Sequence, residues 1–94
     1  MNYELEFKES ALKEWQGLDN SIKELFTKRL AERIVTPRVE SARLTGLSDC
    51  YKIKPRDAGY RLVYQVFDDV LLVMVIAVGK RQNNWVYRKA KGRL

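Results

Sequence analysis

One uninterrupted apolar run, Val70 to Val78, constrains the fold of this chain more than any other feature. Its nine residues are too few to cross a bilayer as a helix. As a strand, such a run belongs at the centre of a covered sheet. The residues before it agree. Tyr51 and Ile53 alternate with Lys52 and Lys54, and Tyr60, Leu62, Tyr64 and Val66 alternate with Arg61, Val63, Gln65 and Phe67. Pro55-Arg56-Asp57-Ala58-Gly59 reads as a turn and Asp68-Asp69 as a hairpin connection. Short connections of this kind predict three antiparallel strands.

The first third of the chain has a different period. Tyr3, Leu5 and Phe7 alternate with polar neighbours as a short strand. Ala11, Leu12 and Trp15 then recur at helical spacing, with Gly17 as a stop. Ser21-Ile22-Lys23-Glu24 reads as a capping box for a second helix. Its apolar stripe is Ile22, Leu25, Phe26, Leu30 and Ile34, with Lys23, Lys28, Glu32 and Arg33 largely outside it, and Pro37 ends it. Leu44 to Leu47 is a connector turning at Gly46. The expected fold is α+β: a small single domain over residues 1–94, with an antiparallel sheet packed against an N-terminal helical hairpin. That hairpin is the only element available to cover one face.

Composition narrows the function classes. At 94 residues the core is thin, and a single cysteine, Cys50, excludes a disulfide-stapled scaffold. The absence of histidine removes the usual acid–base group and, with one cysteine, argues against a structural zinc site. No signal peptide is readable at the N-terminus and no membrane span in the chain, so a cytoplasmic location is expected. The net charge is +6, unevenly spread: residues 1–40 carry seven basic and eight acidic residues, residues 41–94 eleven and four. From Gly79 to Leu94 there are six basic residues and no acid. Such asymmetry points to a polyanion, most often nucleic acid.

Side-chain parity places that charge. If Tyr51, Ile53, Tyr60, Leu62 and Tyr64 face the helices, then Lys52, Lys54 and Arg61 share the other face. Lys80 and Arg81 follow the central strand, and Tyr87 lies downstream. The expectation is an open, concave cationic face. Like charges on neighbouring strands repel, so an incoming anion is what stabilises such a cluster. Tyr51, Tyr60, Tyr64 and Trp15 read as core, and Cys50 as a small core residue.

The segments Asp49-Cys50-Tyr51-Lys52-Ile53-Lys54, Gly59 to Val66, Val78-Gly79-Lys80-Arg81, Val86-Tyr87 and Ala11-Leu12-Lys13-Glu14-Trp15 together resemble the bacterial RelE toxins. The likeness runs along essentially the whole chain. Gln82, where an acid often follows Gly-Lys-Arg, and Trp85 depart from the family pattern. The resemblance implies an endoribonuclease that cuts messenger RNA in the ribosomal A site. It also implies a cognate RelB-like antitoxin that wraps and neutralises the toxin, and contact with operator DNA only through that complex. It implies no cofactor and no metal.

The family's functional positions fall on Lys52, Lys54, Arg61, Arg81 and Tyr87, all present here. Metal-free RNA cleavage needs the 2′-hydroxyl deprotonated, the phosphorane charge stabilised and the 5′-oxygen protonated. The resemblance assigns Lys54 as general base assisted by Lys52, and Arg61 to the non-bridging oxygens. Arg81 stabilises charge and protonates the leaving oxygen, and Tyr87 stacks on a base or orients the nucleophile. Lys80, Arg88, Lys89, Lys91 and Arg93 are expected to contact RNA phosphates. The alternatives are a ParE-like toxin, similar in fold but acting on DNA gyrase without cutting RNA, and an RNA-binding scaffold without activity.

Overall fold

The computed structural model describes residues 2–55 and 59–94. The elements run β1 (Glu4–Phe7), α1 (Glu9–Gln16), α2 (Asn20–Arg33), β2 (Cys50–Ile53), β3 (Tyr60–Phe67), β4 (Leu72–Lys80) and α3 (Trp85–Arg93). The four strands form one sheet in the order β1-β4-β3-β2. β2, β3 and β4 are antiparallel neighbours, as their short connections require. β1 lies along the outer edge of β4 and runs parallel to it, so the sheet is mixed rather than wholly antiparallel. Alternation specifies a strand; the path of the intervening chain decides its direction.

The expected parity holds. Tyr51, Ile53, Leu62, Tyr64, Val66, Val75 and Val78 form one buried cluster with Ala11, Phe26 and Leu30 of the helical hairpin. Trp15 wedges between Phe7 and Phe26, with ring centroids 5.3 and 6.2 Å away. The opposite face is not open. α3 lies on it, and Val86 and Ala90 bury Cys50, Val63, Ile76 and Ala77 in a second cluster. Val86 and Ala90, spaced by four and helped by the partly buried Tyr87, carry this contact within a strongly basic segment. Its charge therefore masked a helix with a narrow buried stripe.

Three boundaries move for local reasons. α2 starts at Asn20 after the N-cap Asp19, so Ser21 sits inside the first turn and does not cap. The helix ends at Arg33, not at Pro37, because the chain tightens when the Val35 and Thr36 N–H groups both donate to the Glu32 carbonyl. The central strand begins at Leu72, not Val70: residues 68–71 form a four-residue turn in which Leu71 takes φ 51° and Val70 is 62% exposed. Of the expected Pro55–Gly59 turn, residues 56–58 lie outside the described residues. Gly46 takes φ +83°, as its place in the connector predicts.

Arg33 is the clearest reversal. Expected on the solvent side of α2, it is only 9% exposed and donates to Tyr64 Oη (2.8 Å) and the Lys52 carbonyl (3.0 Å). The Tyr64 hydroxyl in turn donates to the Pro37 carbonyl at 2.6 Å. A long arginine stem can lie along the core while its head satisfies buried acceptors, which a two-letter polarity pattern does not encode.

Candidate functional site

Register builds the site. Ile53 pairs with Leu62, and Arg61 with Gly79. Carried one residue beyond β2, the same register sets Lys54 opposite Arg61. Directly opposed residues of an antiparallel ladder share a face, with Cβ atoms about 4.5–5.5 Å apart. Lys54, Arg61 and Gly79 therefore form one row at the end of the sheet, and Lys52, Val63 and Ala77 form the row behind it. Val63 and Ala77 lie under α3, which assigns both rows to that face. Arg81 follows β4 at once, its backbone N–H tied to the Gly59 carbonyl at 3.1 Å. Trp85 crosses Gly79, so the first turn of α3, which carries Tyr87, starts beside the same row. Register thus sets Lys52, Lys54 and Arg61 at one end of one face, with the backbone of Arg81 and the first turn of α3 next to it.

Arg61 is only 7% exposed, and its sole side-chain hydrogen bond among the described residues runs from Nη1 to its neighbour's carbonyl, Tyr60 O, at 2.7 Å. No carboxylate among the described residues pairs with Lys52, Lys54, Arg61, Lys80, Arg81 or Arg88. A nearly buried guanidinium without a counter-charge is costly, and a bound phosphate oxygen relieves that cost with a planar, bidentate fit.

The cations of the C-terminal helix divide. Arg88 and Lys91 are exposed and without a carboxylate partner among the described residues, as RNA contacts require. Arg93 and Lys89, also expected on phosphates, bind Glu14 instead. Arg93 donates to both Glu14 oxygens at 2.9 Å, and Lys89 to Oε2 at 3.3 Å while its ammonium lies 3.9 Å from the Trp85 ring centroid. Burial alone would raise the Glu14 carboxyl. Hydrogen bonds from Arg93, the Val78 N–H and Lys89 outweigh it and hold the group below the ordinary carboxylate range. The pair also caps an open strand edge: Val78 N–H donates to Glu14 Oε1 (3.1 Å), and Arg93 Nη1 to the Ile76 carbonyl (2.8 Å). Glu14 and Gly79 were not singled out from the sequence. Gly79, a glycine inside an apolar strand, carried a readable signal of close approach.

Cys50 is fully buried, and burial pushes its thiol up to about 11, which removes it as a nucleophile at neutral pH.

The arrangement can be set beside known proteins. A family model described as the ParE toxin of the type II toxin–antitoxin system parDE matches residues 5–85. The chain is 50% identical to the mRNA interferase toxin RelE of Escherichia coli K12 over 94 residues, which is 100% of this chain and 99% of that protein. The chain belongs to the RelE/ParE toxin family. Its fold matches that of an arginine-substituted E. coli RelE in the free state with a TM-score of 0.93 and 49% identity, covering 100% of this chain and 99% of that one. It matches the toxin of the intact E. coli RelBE toxin–antitoxin complex with a TM-score of 0.83 and 51% identity, over 86% of this chain and 99% of that one. The RelE/ParE likeness therefore covers both the helical hairpin and the sheet that holds Arg61.

Proposed function

We propose that residues 1–94 act as a single toxin domain, a ribosome-dependent endoribonuclease that cleaves messenger RNA in the A site and so inhibits translation. The observation that carries this reading is Arg61: nearly buried, without a carboxylate partner among the described residues, and set in register beside Lys54. The relative with 50% identity is named an mRNA interferase, which agrees with it.

In this reading, Lys54, assisted by Lys52, takes the 2′-hydroxyl proton, and the 2′-oxygen attacks the adjacent phosphorus. Arg61 holds the non-bridging oxygens as charge builds on them. Arg81 stabilises the departing 5′-oxygen and supplies its proton. The products are a 2′,3′-cyclic phosphate and a 5′-hydroxyl end. Tyr87, on the first turn of α3, stacks on a base or orients the nucleophile. Lys80, Arg88 and Lys91 contact RNA phosphates. The ribosome supplies the in-line geometry, so free RNA is cut poorly.

The chain's proposed partner in the cell is a RelB-like antitoxin, as in the E. coli RelBE complex, with operator DNA reached only through that complex. The proposed location is the cytoplasm. No helix among the described residues is long and apolar enough to cross a membrane.

Single-turnover cleavage of a ribosome-bound messenger tests the reading. Arg81→Ala should slow it by at least ~10²-fold, the loss seen when one transition-state donor is removed, while ribosome co-sedimentation stays largely intact. Wild-type rates for Arg81→Ala or Lys54→Ala would dismiss this catalytic centre. The ParE name of the matching family model motivates one control, gyrase supercoiling, which the chain should leave unaffected.

A further inference from the structure

β1 lines the outer edge of β4 only from Leu72 to Val75. Glu14 and Arg93 close the next stretch, and past Val78 a cleft of about 520 Å³ opens between α1 and the start of α3. Leu18, Tyr60 and Trp85 give it apolar walls, and Lys13, Lys80 and Arg88 stand around it. Its one carboxylate among the described residues, Glu14, is already taken by Arg93, Lys89 and the Val78 N–H. The cleft's free charge is therefore positive.

Trp85 ties this cleft to the candidate reaction centre. Gly79 lies opposite Arg61, and a Cβ on Gly79 would fall 2.0 Å from a ring carbon of Trp85. The missing side chain is what admits the indole beside Arg61. Two consecutive left-handed residues, Asn83 and Asn84, both at φ 56°, turn the chain so that the ring returns over the sheet. Strain of this kind persists where the surroundings over-determine it, and it concentrates at functional sites. Lys89 holds the ring from its own helix, yet the residue is still 37% exposed. A preordered aromatic wall loses little freedom when a base packs on it, and nearby cations answer the base's phosphates.

We propose that this cleft is a nucleotide subsite that takes one unpaired messenger nucleotide next to the cleaved step, with Trp85 against its base and Lys80 and Arg88 on its phosphates. This inference rests on the nuclease reading above and names what sets its sequence preference. Trp85 is a specificity residue, distinct from the groups that move protons.

The test is ribosome-dependent cleavage of messengers that differ only in the nucleotides flanking the cut. Wild type should prefer some flanking bases, and Trp85→Ala should compress the spread of kcat/KM by about tenfold or more, the scale of one lost base stack. Trp85→Phe should keep the preference, which separates lost recognition from lost folding. Arg88→Ala should lower kcat/KM evenly by about threefold. Binding to messenger-free ribosomes should stay within about twofold for Trp85→Ala. An unchanged spread in Trp85→Ala overturns the subsite, and so does a loss of messenger-free binding, which would put ribosomal RNA in the cleft. If wild type cuts no messenger, the nuclease reading fails and the subsite is judged separately. The probe is then an unstructured RNA tetranucleotide titrated into the free chain. A saturable shift of the Trp85 indole N–H signal supports the subsite, and a signal that does not move refutes it.

Discussion

Arg38 and Arg61 stand at opposite ends of the β2–β3 ladder and have opposite surroundings. Arg38 donates to Asp68 at 3.0 and 2.7 Å, to Asp49 at 3.0 Å and to Tyr51 Oη at 3.1 Å. Tyr3 adds a bond to the other Asp68 oxygen at 2.6 Å, so β1, the β3–β4 turn and the start of β2 are tied together. Arg61 is the more buried of the two, and among the described residues its side chain has only a backbone carbonyl. Burial does not separate the cation tied into the fold from the one proposed to meet RNA; the partner does. An arginine whose charge is answered within the fold is finished, whereas one that is buried and unanswered is poised for an anion from outside.

The largest expected effect inverts stability and activity at these two positions. Arg61→Ala should slow single-turnover cleavage by about 10²-fold while leaving Tm unchanged or higher, because it removes a desolvated charge that no carboxylate among the described residues answers. A drop in Tm together with full activity would break the comparison.

Next is Gly79→Ala, whose new Cβ collides with the Trp85 ring. We expect the ring to be driven off the sheet, with red-shifted tryptophan emission and cleavage reduced about tenfold. The double change with Trp85→Ala should restore the stability lost in the single variant, because the clash is gone. If Gly79→Ala behaves as wild type, the packing of the indole beside Arg61 is not what the register implies.

Arg38→Ala is the mirror of Arg61→Ala. Its carboxylate partners, Asp49 and Asp68, are about half exposed, so the loss is modest, a Tm lower by about 5 °C with the cleavage rate of the folded protein unchanged. Thermal unfolding and single-turnover rates on the same sample check both halves.

The smallest effect concerns Glu14, whose carboxyl is held below its ordinary value of 4.5. A depressed carboxylate contributes stability above its unfolded pKa and loses it as pH falls through the folded value. The hold of Glu14 on Arg93 and Lys89 should therefore be complete at neutral pH and weaken only below about pH 4.5. Amide exchange in α3 should rise over that acid window in wild type. In Glu14→Gln it should already be faster at pH 7 and lack the acid-dependent rise. Equal protection in both proteins would show that α3 is held by Val86 and Ala90 alone.

Much of this molecule was determined by local pattern. The period-2 runs at Tyr51–Ile53 and Tyr60–Val66 fixed which side chains enter the hairpin core, because a strand has only two faces. That same parity put Lys52, Lys54 and Arg61 together on the other face, and their order along the chain carried the family likeness. What the tertiary structure decided depends on encounters between distant segments. The direction of β1 beside β4, the cover that α3 gives the second face, and the burial of Arg33 against Tyr64 each join residues far apart in sequence. So does the division of the basic tail into cations answered by Glu14 and cations left free. A charge count treats Lys89 and Arg88 alike. Only the approach of α1, some seventy-five positions earlier in the chain, gives Lys89 a carboxylate, while Arg88 stays exposed and without one among the described residues.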